Sequence, residues 1–351
     1  MTEHQTLTSF LADHCSDSRP LKQEVAETVR AVAEACVSIA EIIALGALTG
    51  NVLGIAQGQN ADGDEQAALD VRANDIVIDE LRDSPVAYIA SEELDQPMPV
   101  NPGKPLYVAI DPLDGSSNID TNVSIGTIFS VMPMACDKGE SESDCFLQAG
   151  IHQLAAGYVI YGPQTALVLT LGNGTHIFTL NPDTGEFCLT QPNIRIPEDT
   201  HEFAINTSNF RRWDGHIRAY IDDCFSGEEG PHQKNYNTRW IASLVAECHR
   251  IMVRGGIFLY PSDRRAQYQE GRLRLAYEGN PIAFLVEQAG GGATTGRERV
   301  MEVEPRSIHQ RVPLIFGSRN EVQLINHYYA EVQPAHERSQ LFGERGLFRS
   351  R

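Results

Sequence analysis

One short stretch, residues 107–120, constrains the fold and the chemistry of this chain more than any other. It reads Tyr-Val-Ala-Ile-Asp-Pro-Leu-Asp-Gly-Ser-Ser-Asn-Ile-Asp, so an apolar run ends at Asp111, and Asp114 precedes a Gly-Ser-Ser-Asn bend. A strand that ends in two carboxylates can hold a hard cation, and the backbone N–H groups of the bend can bind a phosphate. A second apolar run, at 86–90, also ends in acids, in the sequence Ser-Glu-Glu. The two runs together predict a metal-assisted phosphate site.

The bulk composition excludes several classes of protein. The chain has 351 residues, enough for two domains, and its hydrophobic content of 42% supports a substantial core. The net charge is −19, which argues against a nucleic-acid partner because phosphate backbones favour basic surfaces. Neither an apolar run of 18 residues nor a signal peptide is visible, so we expect no membrane partner and a cytoplasmic location. Seven cysteines without a Cys-x-x-Cys pair predict free thiols and no structural zinc site.

Hydrophobic periodicity in the first half predicts helices over 20–48 and about 66–82, with a loop over 51–65 between them. From 86 to 180, apolar runs alternate with turn residues, which is typical of a meandering antiparallel sheet.

The second half has a different pattern. It predicts a helix over 237–254, a strand over 273–278 that ends in Glu278, a helix from Asn280 and a final strand over 312–316. We therefore expect an N-terminal domain over 1–200, a C-terminal domain over 201–330 and a tail over 331–351.

Five acids lie at or just past the ends of apolar runs, where strands would direct them into a crevice: Glu92, Glu93, Asp111, Asp114 and Glu278. Mg²⁺ prefers such oxygen ligands, and it can activate water and neutralise phosphate charge. Any single one of these acids is more typical of a solvated turn. The pairing of Asp111 with Asp114 is more specific, because Pro112 stiffens the turn and Gly115 allows the backbone to approach a ligand.

The other candidates have plain structural alternatives. Asp64 and Asp70 flank the start of the second helix, where the helix dipole alone would favour an acid. Arginine forks suit phosphate oxygens, but on an acidic protein they more often form surface salt bridges; the arginines concerned are Arg239, Arg272 and Arg274. Tyr260 could be a core aromatic residue and Asn206 a turn residue.

Several blocks occur in order and at compatible spacing from about Thr6 to about Val322. They are residues 91–93 (Ser-Glu-Glu), 111–120, 124–129 (Ser-Ile-Gly-Thr-Ile-Phe), 155–158 (Ala-Ala-Gly-Tyr), 255–261 (Gly-Gly-Ile-Phe-Leu-Tyr-Pro) and 273–281 (Leu-Arg-Leu-Ala-Tyr-Glu-Gly-Asn-Pro). Together they resemble class I fructose-1,6-bisphosphatase. The Asp-Pro-Leu-Asp-Gly turn alone would indicate only the wider lithium-sensitive sugar and inositol phosphatase superfamily.

The resemblance implies a layered α/β/α/β/α fold of the α/β class, with two mixed or antiparallel sheets, assembled as a homotetramer. It implies Mg²⁺-dependent hydrolysis of the 1-phosphate of fructose 1,6-bisphosphate, in gluconeogenesis or the Calvin cycle. Two or more Mg²⁺ ions per subunit would be bound, with Mn²⁺ or Zn²⁺ as substitutes.

The resemblance also implies a role for each site residue. The magnesium ligands would be Glu92, Glu93, Asp111, Asp114, Glu278 and the carbonyl of Leu113. The residues that help to activate the attacking water would be Asp64, Asp70 and Glu93. The 1-phosphate would lie against Gly115, Ser116 and Ser117, with Asp114 and Arg274 beside it. The 6-phosphate would be bound by Asn206, Tyr260, Arg272 and an Arg239 from a neighbouring subunit.

The sequence departs from the family at several positions. Arg272 stands where lysine is common, and Trp240 stands where tyrosine is familiar. Animal members bind AMP near the first helix, but residues 17–21 here read Asp-Ser-Arg-Pro-Leu, so we expect weak or absent AMP inhibition. Plastid members carry a regulatory cysteine loop near 135–147, so Cys136 and Cys145 are candidates for a redox switch, although two ordinary exposed thiols are the simpler interpretation.

Three alternatives remain open at this point. A sedoheptulose-1,7-bisphosphatase or a dual-specificity enzyme would show similar phosphate-binding residues. An inositol monophosphatase would not need the half of the site that contains Arg239 and Tyr260, because that half binds a second phosphate. A non-catalytic metabolite sensor could keep the fold but would not need the full set of acids.

Overall fold

The computed structural model describes residues 4–15, 19–49, 56–59, 65–134 and 144–331. The α-helices in these ranges are α1 (Leu7–His14), α2 (Pro20–Leu45), α3 (Ala68–Leu81), α4 (Gly215–Phe225), α5 (Leu244–Arg254), α6 (Asn280–Gln288) and α7 (Arg319–Glu331). The strands are β1 (Ala56–Gln59), β2 (Glu65–Ala67), β3 (Val86–Ser91), β4 (Met98–Pro99), β5 (Leu106–Asp114), β6 (Ile125–Pro133), β7 (Ala155–Tyr161), β8 (Thr165–Thr170), β9 (Thr175–Asn181), β10 (Glu186–Gln191), β11 (Glu202–Ala204), β12 (Asn237–Thr238), β13 (Ile257–Tyr260), β14 (Leu273–Arg274), β15 (Gly292–Thr294), β16 (Arg311–Val312) and β17 (Leu314–Gly317).

The larger sheet has eight strands in the order β10-β9-β8-β7-β6-β5-β3-β4, and all neighbours are antiparallel except β3 and β5. Both faces of its centre are buried. On β7, Val159 and Tyr161 pack into the core formed with α1, α2 and α3, whereas Tyr158 and Ile160 pack into the core formed with α5 and α6. Alternate residues of one strand therefore serve two different cores.

The smaller sheet has the strand order β12-β11-β13-β17-β15. Its inner face, including Phe258 and Phe316, packs against α5 and α6, and its outer face packs against α4 and α7. The layers are thus α2 and α3, the large sheet, α5 and α6, the small sheet, and α4 and α7. This arrangement confirms the predicted layered α/β/α/β/α fold with two mixed or antiparallel sheets.

Most elements of the first half follow the sequence prediction. Helix α2 buries Val25, Val29 and Val32 among other residues at helical spacing, and α2 and α3 lie within the two predicted helices. The predicted loop over 51–65 is wrong in part, because β1 lies inside it and pairs with β2. The predicted domain boundary near 200 stays a prediction. Within the described residues, no helix is long and apolar enough to cross a bilayer.

The second half differs from the prediction at three elements. Helix α5 begins at Leu244, where the Ser243 side chain caps it, and not at 237, which lies in β12. The strand predicted over 273–278 ends at Arg274, and a π-helical turn follows over Leu275–Gly279. The final predicted strand divides at Pro313 into β16 and β17.

The cysteines also need one correction. Five are free thiols, namely Cys15, Cys36, Cys188, Cys224 and Cys248. Cys145, however, is buried and disulfide-bonded, so the expectation of free thiols throughout is wrong there. Cys136 lies outside the described residues, as do Asp17 and Ser18 of the region expected to affect AMP binding. The redox switch and the weak AMP inhibition therefore stay predictions.

Candidate active site

A bulge in β5 brings two aspartates to the same side of the large sheet. Asp111 pairs with Ile128 of β6, and Asp114 pairs with Gly126. Three residues of advance along β5 thus correspond to two along β6, so β5 contains one extra residue here. Residues three apart on a regular strand face opposite sides, and the extra residue cancels this difference. The side chain of Leu113 packs into the core with α2 and α3. The Leu113 N–H donates to Asp111 Oδ1 at 3.0 Å, and the Thr127 hydroxyl donates to the Pro112 carbonyl at 2.9 Å, which fixes the turn.

The third carboxylate arrives from the second half of the chain. Asp111, Asp114 and Glu278 are all buried, and each offers an oxygen within 4.8 Å of the others. The π-helical turn carries Glu278, whose Oε2 accepts the N–H of Arg274 at 2.5 Å. The structure therefore brings together three of the five predicted carboxylate ligands.

The other two predicted ligands lie just after β3. Glu92 forms a side-chain hydrogen bond with Asp111, and it pairs with Arg274 through Oε1 and Nη2 at 2.7 Å. The N–H of Glu93 donates to Ser91 Oγ at 3.2 Å, and that hydroxyl donates to Asn74 Oδ1 on α3 at 2.7 Å. Glu93 is thus placed by α3, but it is not part of the three-carboxylate cluster.

The charge in this cluster is not balanced by the described side chains. Burial, and then the charges of neighbouring carboxylates, raise the pKa of Asp111 well above its usual range. Burial is also the largest cause that raises the pKa of Asp114 to about 7 and that of Glu278 to about 8, although Arg274 lowers both. Buried carboxylates that lie close together, and whose pKa values burial raises, form a donor set that suits a hard divalent cation. The residues present therefore fit the Mg²⁺ that the resemblance implies.

Helix α5, from the second half of the chain, also holds the Asp114 side chain in place. The Val245 N–H, in the first turn of this helix, donates to Asp114 Oδ2 at 3.1 Å. This contact lowers the pKa of Asp114, as expected where a carboxylate meets the positive end of a helix. A helix from the second half of the chain therefore positions a candidate ligand from the first half.

The turn that follows Asp114 is partly exposed. Gly115 has φ of 82°, and Ser116–Thr121 forms a 3₁₀ turn in which Ser116 is half-buried and Ser117 is exposed. A Cβ on Gly115 would lie 3.4 Å from Asn118 Nδ2 and 3.8 Å from Ser243 Oγ. The left-handed φ is the reason that glycine is required here.

The two acids predicted to activate water have different outcomes. Asp70 is 2% exposed and lies in the first turn of α3. Asp64 lies outside the described residues. Their predicted roles, like that of the Leu113 carbonyl, stay predictions.

A second polar pocket contains three of the predicted phosphate ligands. Asn206, Tyr260 and Arg272 line it, together with Asn209 and Trp213 among others. Arg272 Nη1 donates to the Tyr260 hydroxyl at 2.8 Å, and its guanidinium lies 3.8 Å from the centre of the Tyr268 ring. Arg272 Nε is buried without a hydrogen-bond partner among the described residues. A planar cation placed over an aromatic ring, with a donor that has no hydrogen-bond partner, is suited to binding an anion.

Arg239 does not line this pocket within its own chain. Its side chain is 49% exposed, and Nε lies 3.4 Å from Glu202 Oε1. Trp240 packs against Phe258, with ring centres 5.9 Å apart and nearly parallel planes. In this chain Trp240 therefore completes the core beside Tyr260.

Sequence reasoning missed the residues that support the site. Tyr268 under Arg272, and the contact of the Asn118 amide with the Ala242 carbonyl, gave no sequence signal because both depend on tertiary packing. Ser243 carried a usable signal, since serine before an apolar helical run is a common N-cap.

A layered α/β fold with buried carboxylates beside an exposed glycine turn is typical of metal-dependent sugar phosphatases. A family described as "Fructose-1-6-bisphosphatase, N-terminal domain" matches residues 5–192, and "Fructose-1-6-bisphosphatase, C-terminal domain" matches 196–330. The chain is 51% identical to fructose-1,6-bisphosphatase class 1 of Sinorhizobium medicae, covering 98% of this chain and 99% of that protein. It is 54% identical to the protein of the same name from Nitrobacter vulgaris, covering 99% and 100%.

A solved structure agrees with these matches. The holo form of Leishmania major fructose-1,6-bisphosphatase is 37% identical, with a TM-score of 0.85, covering 93% of this chain and 99% of that chain. The chain belongs to the class 1 fructose-1,6-bisphosphatase family.

Proposed function

We propose that this protein hydrolyses fructose 1,6-bisphosphate to fructose 6-phosphate and inorganic phosphate. The observation that carries the proposal is the buried cluster of Asp111, Asp114 and Glu278 next to the glycine turn at 115–121. The relatives are named for the fructose ester, so the sedoheptulose ester is not favoured as the main substrate.

The three clustered carboxylates, with Glu92 beside them, would hold the metal. When bound, Mg²⁺ would supply positive charge to the reacting phosphate and lower the pKa of water. Asp114 and Glu278, whose pKa values burial raises, would hold the metal as carboxylates and would release their protons in doing so. We assign to Glu93, Asp70 and Asp64 the role of accepting the proton that the attacking water loses.

The remaining groups bind and orient the substrate. The backbone N–H groups and hydroxyls of Ser116 and Ser117 would receive the 1-phosphate, and Arg274, already at the cluster, would stabilise its charge. Arg272, held by Tyr260 and Tyr268, would anchor the 6-phosphate together with Asn206. Water then attacks phosphorus, the bond from phosphorus to the sugar oxygen breaks, and that oxygen takes a proton.

Finer features of the hypothesis rest on the family resemblance. These are the preference for Mg²⁺ over Mn²⁺ or Zn²⁺, two or more ions per subunit, a homotetramer, a cytoplasmic location, and a place in gluconeogenesis or the Calvin cycle. We include them in the proposal.

The test is phosphate release from fructose 1,6-bisphosphate, with and without Mg²⁺, and from sedoheptulose 1,7-bisphosphate in parallel. Asp114→Asn keeps the shape of the side chain but removes its charge, so we expect kcat to fall by about a hundredfold or more. Asp183→Asn, at an exposed turn between β9 and β10, is the matched control and should leave kcat unchanged. Absence of release from either ester by folded, Mg²⁺-loaded protein would contradict the proposal and favour a metabolite sensor.

A further inference from the structure

The segment Arg239–Ser243, between β12 and α5, contains a strained residue. Ala242 has φ of 64°, one of four positive values at non-glycine residues in the described chain. For an L-amino acid with a Cβ this conformation is unfavourable, and it persists only where surrounding contacts impose it. Alanine also has no polar side chain with which to compensate locally, as asparagine has.

Two hydrogen bonds hold the backbone around Ala242, one at the Trp240–Ile241 peptide group and the other at the Ala242–Ser243 peptide group. The Ile241 N–H donates to Glu247 Oε1 at 2.6 Å, and the Ala242 carbonyl accepts from Asn118 Nδ2 at 2.9 Å. Glu247 is fully buried and pairs with Arg250 at 3.0 Å, so its carboxylate is itself fixed. The segment is thus fixed to α5 on one side and to the 3₁₀ turn on the other.

The bond from Asn118 joins two parts of the site that are far apart in sequence. Asn118 belongs to the turn Ser116–Thr121, and its own N–H donates to the Gly115 carbonyl at 2.8 Å. The segment on the other side begins at Arg239, whose N–H donates to the Phe203 carbonyl at 2.8 Å. One side-chain amide therefore spans the turn proposed for the 1-phosphate and the segment that presents Arg239.

We propose that Asn118 is a positioning residue that fixes the segment Arg239–Ser243 relative to the turn proposed for the 1-phosphate. Its amide holds Ala242 in the left-handed conformation, and this conformation places Arg239–Ser243 relative to Ser116 and Ser117. The inference rests on the proposed function for its effect on substrate, but the structural link stands apart from that function.

The role predicts a specific rescue. Without the Asn118 amide, Ala242 relaxes toward negative φ and the segment shifts, because an L-residue disfavours the left-handed region by roughly fivefold or more in population. Glycine adopts positive φ freely, so Ala242→Gly should restore the segment when Asn118 is absent. A residue that acted by touching substrate could not be rescued in this way.

The experiment compares wild type, Asn118→Ala, the double variant Asn118→Ala with Ala242→Gly, and Asn181→Ala as control. Asn181 also forms a side-chain contact within a turn, with the Asp183 N–H at 3.0 Å, but it lies at the end of β9. The first measurement is amide hydrogen exchange of peptides covering 239–243 in the ligand-free protein. The second is the separation of KM and kcat for fructose 1,6-bisphosphate.

We expect Asn118→Ala to speed exchange in 239–243 by about fivefold and to raise KM by a similar factor, with kcat within about twofold. The double variant should return KM to near the wild-type value, and Asn181→Ala should change neither quantity. Unchanged exchange in Asn118→Ala, or a raised KM that the double variant fails to restore, would overturn the proposal. If wild type releases no phosphate, the function fails, and the exchange measurement alone decides the structural link.

Discussion

Asp114 is the residue at which the two halves of the chain meet. It lies in the carboxylate cluster with Asp111 and Glu278, and it accepts the Val245 N–H at the start of α5. Burial favours its neutral form, whereas the helix N-terminus and Arg274 favour its charged form. The balance leaves its pKa at about 7, far from the ordinary value of 3.8. A group poised in this way exchanges its proton for a metal ion at little cost.

The first prediction concerns pH and metal affinity. The raised pKa values mean that the metal-free folded protein keeps protons on Asp114 and Glu278 that the unfolded chain has released. Folding therefore takes up protons at these two groups, and their contribution to the free energy of unfolding of the metal-free protein falls as pH rises from about 4 to about 8. Metal binding releases the same protons, so apparent Mg²⁺ affinity should rise about tenfold per pH unit for each proton released.

Two measurements check this prediction. The Mg²⁺-induced rise in Tm should be larger near pH 8.5 than near pH 6, and calorimetry in two buffers of different ionisation enthalpy should show proton release on binding. Asp114→Asn should remove part of that release. An equal rise in Tm at both pH values would show that the cluster is already ionised without metal.

At the scale of elements, the contact between β6 and α5 depends on Gly126. A Cβ built at this glycine would lie 2.3 Å from the Val159 carbonyl oxygen and 2.7 Å from Val245 Cγ2. Both distances are too short for real atoms, so either β7 or α5 would have to move. Val245 is also the residue whose N–H donates to Asp114. A change in the packing of α5 against the sheet would therefore move a hydrogen-bond donor of the candidate metal site.

The second prediction follows from this packing. Gly126→Ala should lower the free energy of unfolding by about 1–3 kcal/mol through overpacking, and it should weaken Mg²⁺ binding because α5 shifts. Gly185→Ala is the control: it has positive φ but nothing within 4 Å, so it should cost about 1 kcal/mol of backbone strain without changing metal affinity. Chemical denaturation and metal titration measure the two effects. Unaltered metal affinity in a destabilised Gly126→Ala protein would contradict the link.

The sequence predicted only some of the helices, strands and turns that carry the candidate metal ligands, for a physical reason. The acids after β3 and β5 were found because apolar runs ended there. The stretch 273–278 was predicted as a strand that ends in an acid, but its polar residues Arg274 and Glu278 are buried, as the apolar Leu275 is. Where both faces of a segment are buried, alternation no longer reports which way a side chain points, so the π-helical turn that brings Glu278 to the cluster could not be predicted.

At the scale of the whole molecule, the site exists only because the two halves pack on a shared helical layer. Helices α5 and α6 lie between the sheets, and the carboxylates come from β5 on one side and the turn before α6 on the other. The class of fold and the ligand types could be predicted from sequence and resemblance. The contacts that join the halves, such as Asn118 with Ala242, could not, because they join residues more than a hundred positions apart.

The last prediction concerns assembly. Within one chain, Arg239 is half exposed, pairs with Glu202, and does not line the pocket of Arg272 and Tyr260. If it acts on a neighbouring subunit, as the resemblance implies, subunits carrying Asp114→Asn and Arg239→Ala should complement each other after joint refolding. In such a mixed oligomer, the Arg239→Ala subunit keeps an intact carboxylate cluster and receives Arg239 from the Asp114→Asn subunit. Activity at low substrate should then exceed that of either variant alone, whereas an Arg239 that served its own chain would give no gain on mixing.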